Sequence, residues 1–541
     1  MSATIVTDVV IIGSGVAGAL MASRLATAGV RVVILEAGDA VDRGQAVQVF
    51  HQAVEKVPEC AYPPRPEAMH PVSNNLTQWY RQGGPELFKS TYLKVLGGTT
   101  WHWLGSCPRF IPSDFRLKSR FGRGVDWPIS YDILEPFYLQ AENELGVAGD
   151  STEALGSPRS GPYPMPPIPP TWLDKVVAQA LEGSRFEVRS TPQARNSEFR
   201  DQRPACCGSA SCIPVCPVGA KYDATVHLNR AIASGATVLP RSPAVRLQVS
   251  EEGRVAAIHF RRWDQTEGAV QAKIFVVACN AIETPRLLLA SRSAQLPGGV
   301  ANRSDQVGRN LMDHPVQLSW ALTKEPVYPY RGPLSTSGIE NLRDGEFRKE
   351  HSAVRIEIGN DGWSWPAAAP LSTAADLAKQ GLRGQELKSA LAHTTARHIR
   401  LASLTEQEPD PENRISLDPV ERDVHGVPLP HIRYRLSDYV TDSMKWAREL
   451  HTEIFNKLQA AQIQHAPDFF GAGHILGTTR MGTDAASSVV DPNLRSHDHS
   501  NLFVVGGGVF PTVGTANPTL TIAALSLRAA SEIQKQLREM A

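Results

Sequence analysis

The stretch CCGSASCIPVCPVGA, from Cys206 to Ala220, holds four of the chain's seven cysteines. Clustered thiols allow three chemistries. They can hold an iron–sulfur cluster as thiolates, bind zinc tetrahedrally, or pair into disulfides. Cys212 and Cys216 are separated by three residues, and Pro217 follows. Cys206 and Cys207 are adjacent, so their side chains tend to diverge, and both could hardly reach one compact cluster without strain. Three ligands suit a 3Fe–4S cluster and four suit a 4Fe–4S cluster. Cys60, Cys107 and Cys279 stand apart and read as buried small hydrophobes.

A second chemical signature lies at the start of the chain. Gly13, Gly15 and Gly18 form G-x-G-x-x-G between the β-branched run DVVIIG and the helically spaced AGALMASRLATAG. In such a motif the first glycine permits the turn, the second lets backbone approach a pyrophosphate, and the third allows close helix–strand packing. The helix N-terminus supplies N–H groups for phosphate. The following strand, RVVILEAG, brings Glu36 to the place where a carboxylate accepts from ribose hydroxyls. This is a βαβ dinucleotide site, and the motif alone does not separate FAD from NAD.

The elements that must position these groups fill a chain of 541 residues, long enough for two large domains or one with a big insertion. Lys plus Arg and Asp plus Glu balance at 55 each, which gives no basic footprint for nucleic acid. The longest apolar run, Val9 to Ala22, is too short to span a bilayer. Only Asp8 precedes it as a charge, and no twin-arginine pair stands near the start, so neither kind of export signal is expected. Residues 42–91 read as polar and irregular. Ser130 to Val147 reads as a helix capped by Ser130, and Ser157 to Trp172 as a stiff proline-rich connector. VAAIHFRRW and AKIFVVAC read as strands, and Glu283 to Ser291 as a helix start. The span 320–470 mixes strands and helices without repeats. Asn501 to Leu537 reads as strand, loop and amphipathic helix.

KVLGGTTWHW (Lys94 to Trp103), NAIETPRLLLAS (Asn280 to Ser291), VGRNLMDHP (Val307 to Pro315), HILGTTRMG (His474 to Gly482) and NLFVVGGGVFPTVGTANPTLTIAAL (from Asn501) occur in this order. Together they resemble the glucose–methanol–choline (GMC) oxidoreductases. With the cysteine loop, they resemble in particular the catalytic large subunits of bacterial membrane-bound sugar dehydrogenases, the glucose, fructose and gluconate dehydrogenase group. Two segments depart from that pattern, LGSCPRF (Leu104 to Phe110) and the start of TEQEPDPENR (Thr405 to Arg414), and leave the substrate open.

The resemblance implies an α/β fold, α+β overall. A Rossmann-like FAD-binding domain is expected in residues 1–315, with the iron–sulfur loop at 204–220, and again in 472–541. A discontinuous substrate domain on a mostly antiparallel sheet is expected in 316–471. It implies FAD held by Gly13, Gly15, Gly18, Glu36, Gly97, Gly98, Thr99, His102 and Asn280, with His102 bonded to the flavin covalently or in contact with it. His474 is then the base that takes a hydroxyl proton, Asn517 the partner of the substrate oxygen, and His314 structural. It implies that Cys206, Cys212 and Cys216 ligate a 3Fe–4S cluster, with Cys207 the candidate fourth ligand, and the C-x₃-C-P spacing is similar to the end of a bacterial ferredoxin run. The implied reaction is oxidation of a CH–OH group of a sugar, sugar acid or polyol by hydride transfer to FAD. Reduced FAD holds two electrons and a cytochrome takes one at a time, so a cluster relays them to a multi-haem cytochrome c subunit. A small chaperone-like subunit with a twin-arginine signal would carry the chain to the periplasmic face of the inner membrane; the alternative location is cytoplasmic. The alternative functions are a GMC oxidase that passes electrons to oxygen, or a redox-inactive assembly subunit.

Overall fold

The structure, a computed structural model, describes residues 3–361 and 370–540. Its first strand, β1 (Ala3–Ile12), leads through Gly13–Gly15 into helix α1 (Val16–Thr27) and back into β2 (Val32–Leu35). β1 lies parallel to β2, Val10 opposite Val33, and parallel to the strand Glu267–Val277, Val10 opposite Phe275. A parallel strand covered on both faces has no solvent side, so Val9, Val10 and Ile11 are apolar in succession and fully buried. Thr237–Leu239 adds beside β2, and Leu502–Val504 beside Glu267–Val277, both parallel. The other end of Glu267–Val277 pairs antiparallel with Val255–Arg261, which pairs with Ala244–Val249. α1 packs against the helices Thr225–Ala233 and Thr519–Glu539.

A second, antiparallel sheet runs in the order Ala461–His465, Pro315–Leu322, His398–Thr405, Val354–Gly359, Ser337–Ile339, Val188–Ser190. The helix Asp438–Lys457 packs on it and buries Leu450, Ile454 and Phe455 against Ile399 and Leu401. A small sheet of Arg414–Arg422, Pro428–Arg433 and Arg81–Gln82 completes the strands.

Local expectations meet two corrections. Residues 42–91 are not wholly irregular: Arg43–Gln52 is a helix, its N-terminus capped by Asp42, which accepts from the Gln45 N–H at 2.8 Å. That helix buries only Ala46, so its apolar period is faint in the sequence. Ser130 does head the helix Tyr131–Leu145, but its side chain makes no capping hydrogen bond. The proline-rich connector ends at Thr171, which with Asp174 forms a capping box for the helix Trp172–Ala180. Among the described residues no helix is long and apolar enough to cross a membrane.

Candidate active site

A cavity of about 1160 Å³ opens between the parallel and antiparallel sheets. The glycine motif forms one end. Gly13 sits at φ +102°, and a Cβ there would stand 2.8 Å from the Ala278 carbonyl oxygen; a Cβ on Gly18 would stand 2.0 Å from that of Gly13. A Cβ on Gly15 would meet nothing within 4 Å, because that position looks into the cavity. This is the open cradle at a helix N-terminus that a pyrophosphate requires. Glu36 lines the cavity, and its carboxylate is already engaged. One oxygen accepts from the Ser14 N–H at 3.0 Å and the Ser14 hydroxyl, the other from the Gly38 N–H at 2.8 Å. Ser14 Oγ also takes the Gly97 N–H at 3.1 Å, which ties the second glycine turn to the first. Gly98 and Thr99 line the cavity from that turn, and Gly97 stands just behind. Asn280 lines it too; its Oδ1 accepts from the Ile282 and Glu283 N–H groups at the start of the helix Glu283–Ala290, leaving its amide nitrogen for the cavity. Volume, cradle and donors fit a dinucleotide the size of FAD.

His102 borders the same space. Its Nδ1 stands 3.2 Å from the Pro58 carbonyl, so Nδ1 carries the proton. Burial, and then the nearby Lys221 ammonium, push its pKa down to about 4. The ring is neutral at ordinary pH and keeps the lone pair on Nε2.

Two histidines meet at the other side. His314 Nε2 faces the Gly514 carbonyl at 3.0 Å and the Val513 carbonyl at 3.3 Å. Carbonyls only accept, so Nε2 carries the hydrogen. Burial holds the His314 pKa down at about 4, so the ring is neutral and its Nδ1 is an acceptor. That Nδ1 lies 2.9 Å from His474 Nδ1. His474 must therefore donate from Nδ1, which leaves an unprotonated Nε2. Burial first, then His314 and Arg355, hold His474 well below the ordinary histidine range. Asp313 joins the two loops: its Oδ1 accepts the backbone N–H groups of His314 at 2.8 Å and His474 at 3.0 Å, and its other oxygen takes the Ser90 hydroxyl. Desolvation raises Asp313 to about 6.

Asn517 lines the cavity beside a buried ion-pair network. Arg355 donates to Glu357 at 2.7 Å, Glu340 at 2.7 Å and Thr191 at 2.8 Å. The Asn517 carbonyl oxygen faces Arg355 at 3.4 Å and its amide nitrogen faces Glu357 at 3.4 Å. The charges thus decide which way the amide points.

The cysteine loop is pinned to the turn that bears His102. The buried Lys221 ammonium donates to the carbonyls of Trp101 at 2.9 Å, Trp103 and Cys212 at 2.8 Å. Arg43 stacks over Trp101 at 4.7 Å and donates to the Cys216 carbonyl at 2.8 Å. Ala210 and Ile213 of the loop reach the cavity wall. Cys212 and Cys216 are buried, Cys206 is half-buried and Cys207 is exposed; all seven cysteines are free of disulfides. Backbone N–H groups point at sulfur, from Gly208 to Cys206 Sγ at 3.4 Å and from Lys221 to Cys216 Sγ at 3.5 Å. Among the described residues, however, no three Cys, His, Asp or Glu side chains form a group that could hold a metal ion. The donor chemistry suits a cluster; a closed ligand set is not assembled. Of the other cysteines Cys107 is buried as expected, whereas Cys279 lines the cavity and Cys60 is half-buried. Leu104, Gly105 and Ser106 of the first divergent segment line the cavity; residues 405–414 do not.

A Rossmann-type nucleotide cradle facing an antiparallel sheet, with a buried pair of neutral histidines at the cavity between them, fits a flavin-dependent oxidoreductase. The chain belongs to the GMC oxidoreductases and is an FAD-dependent enzyme acting on CH–OH donors. The GMC oxidoreductase models match residues 167–316 and 409–526, and an NAD(P)-binding Rossmann-like domain matches 11–82. The fructose dehydrogenase large subunit of Gluconobacter japonicus is 38% identical, over 99% of both chains. The 6'''-hydroxyparomomycin C oxidase of Streptomyces lividus is 30% identical, over 98% of this chain and 92% of its own. In fold, pyridoxine 4-oxidase from Mesorbium loti superimposes with a TM-score of 0.67 at 19% identity, covering 98% of this chain and 99% of its own.

Sequence reasoning did not find Arg355, Glu357 or Lys221, and it gave His314 no more than a structural place. Charged residues at alternate positions of an otherwise apolar strand, VRIEIG, were the one signal for the first two.

Proposed function

We propose that the chain is a dehydrogenase that oxidises a CH–OH group of a sugar, sugar acid or polyol. The His314–His474 contact carries this reading, because it leaves a neutral imidazole on the cavity wall with its lone pair on Nε2. His474 Nε2 takes the hydroxyl proton, and an alkoxide releases hydride far more readily than an alcohol. A positioned base supplies typically ~10²–10⁴-fold. The Asn517 amide holds the substrate oxygen but, being an amide, cannot take the proton. FAD, when bound, accepts the hydride. The same reading gives residues 1–315 and 472–541 to the cofactor and 316–471 to the substrate.

We further propose that Cys206, Cys212 and Cys216 hold a 3Fe–4S cluster with Cys207 spare, which would relay single electrons to a cytochrome c subunit. Support comes from the N–H groups aimed at two of these sulfurs and from the Lys221 tie between the loop and the cofactor turn. A small partner subunit with a twin-arginine signal would bring the chain to the periplasmic face; the relative's being a large subunit supports a multi-subunit assembly. Anaerobic bleaching of the flavin by D-fructose, D-glucose, D-gluconate or a polyol such as D-sorbitol tests the first proposal, and no bleaching by any sugar, sugar acid or polyol rejects it. Fast reoxidation by oxygen alone would favour the oxidase. Periplasmic activity from the chain expressed without a partner would reject the export scheme.

A further inference from the structure

Glu357 carries an acceptor that the protein does not use. Its Oε1 takes the Arg355 N–H at 2.7 Å and faces the Asn517 amide nitrogen at 3.4 Å. Its Oε2 makes no hydrogen bond among the described residues, although Glu357 is only 5% exposed and what it exposes faces the cavity. A buried carboxylate oxygen without a donor is costly to leave unpaired, and a ligand that brings the donor relieves that cost. Sheet register sets the rest of the wall. Glu357 stands opposite Ala402, and Ala402 opposite Leu318. Ala402, Leu404, Val316 and Leu318 line the cavity, and so do the paired Arg400 and Asp361, so the apolar part of the wall is bordered by charge.

We propose that Glu357 accepts a hydrogen bond from the hydroxyl next to the one being oxidised, so that the substrate class is a vicinal diol. This rests on the reading of His474 and Asn517 given above. Asn517 Nδ2 lies 3.4 Å from Glu357 Oε1, so an oxygen held by the amide and one held by Oε2 of the same carboxylate are near neighbours. Two hydroxyls on neighbouring carbons in a gauche arrangement are the ligand oxygens that can reach two such adjacent groups together. The second hydroxyl keeps its proton throughout: the reacting hydroxyl's proton goes to His474, its carbon-bound hydride to FAD, and the product is the hydroxy-carbonyl compound. A lone alcohol leaves Oε2 without a donor. A site built around a substrate hydroxyl rejects the analogue that lacks it much more strongly than it senses a methylene.

The test uses the FAD-loaded full chain and anaerobic stopped-flow flavin reduction with 1,2-propanediol, 1,3-propanediol and 1-propanol. The second-order rate should favour the 1,2-diol by about tenfold or more, the strength of a hydrogen bond to a charged group. Glu357→Gln, which keeps the volume and loses the charge, should lower both rates through Asn517 but the 1,2-diol rate more, so that the preference for the diol over 1-propanol falls about tenfold or more. Equal loss for diol and mono-alcohol, or no preference in the parent enzyme, overturns the proposal while the dehydrogenase reading stands. If no alcohol or sugar bleaches the flavin, that reading fails instead. Binding then decides for Glu357: titration of the flavin absorbance of His474→Ala with 1,2-propanediol and 1-propanol should still favour the diol, and equal affinities would overturn the proposal.

Discussion

Replacing His314 by alanine leaves every group that would touch substrate in place and removes only the acceptor behind the base. In the intact protein His314 Nδ1, 2.9 Å from His474 Nδ1, fixes the hydrogen on that nitrogen and the lone pair on Nε2. Without it, the productive tautomer of His474 buries an N–H with no partner, which costs about 1–3 kcal/mol. The other tautomer puts its hydrogen on Nε2, where the base should be. At 1.36 kcal/mol per factor of ten, the productive fraction falls by about 5- to 150-fold. Flavin reduction by substrate, measured anaerobically in single turnover, should slow by that factor at unchanged FAD content. Asparagine at the same position keeps an oxygen near the site of Nδ1, so His314→Asn should recover most of the rate. A purely structural role would not produce that ordering. His314→Ala reducing its flavin within twofold of the parent rate would refute the tautomer argument.

His474→Ala should lower flavin reduction by about two or more orders of magnitude with FAD still bound, and Asn517→Ala by less; near-normal turnover in His474→Ala would remove the base assignment. The pH profile has a definite sign. Burial holds the His474 pKa below the usual histidine value, and the unprotonated ring is the active form. The reductive rate should therefore be flat from neutral pH upward and fall only as pH drops below about 6.5, the unperturbed value; an acid limb centred above it would contradict the burial argument. Cys206→Ser, Cys212→Ser and Cys216→Ser should each lose iron and acid-labile sulfide and the paramagnetic resonance signal, with flavin reduction retained and Cys207→Ser least affected. Equal iron loss in all four would point to four ligands, and zinc without iron in the purified chain would reject the relay.

How much of this was legible in the chain follows from distance along it. The glycine motif was readable because its parts are neighbours: Gly13, Gly15 and Gly18 lie within one turn, and the steric reasons for the first and third act between adjacent loops and strands. Glu36 was readable as the end of the next strand, although its carboxylate proves to be held by Ser14 and Gly38. The cysteine stretch announced itself by density alone. Helix Arg43–Gln52 was not readable, because it buries a single alanine and leaves no apolar stripe.

The nucleotide fold, the local motifs and their order are written along the chain. How they act on one another depends on the folded arrangement. His314 reaches His474 because Asp313 binds the backbone of both loops. Asn517 has a direction because Arg355 and Glu357, from a strand of the other sheet, face its two ends. Glu357 points into the cavity because strand register puts it on the same face as Ala402 and Leu318. Lys221 meets Trp101 and Trp103 only where the cysteine loop folds back on the cofactor turn. A hydrogen's place on an imidazole, or an amide's orientation, depends on partners within about 3 Å. Those partners come from chain segments whose separation in sequence carries no record of their meeting.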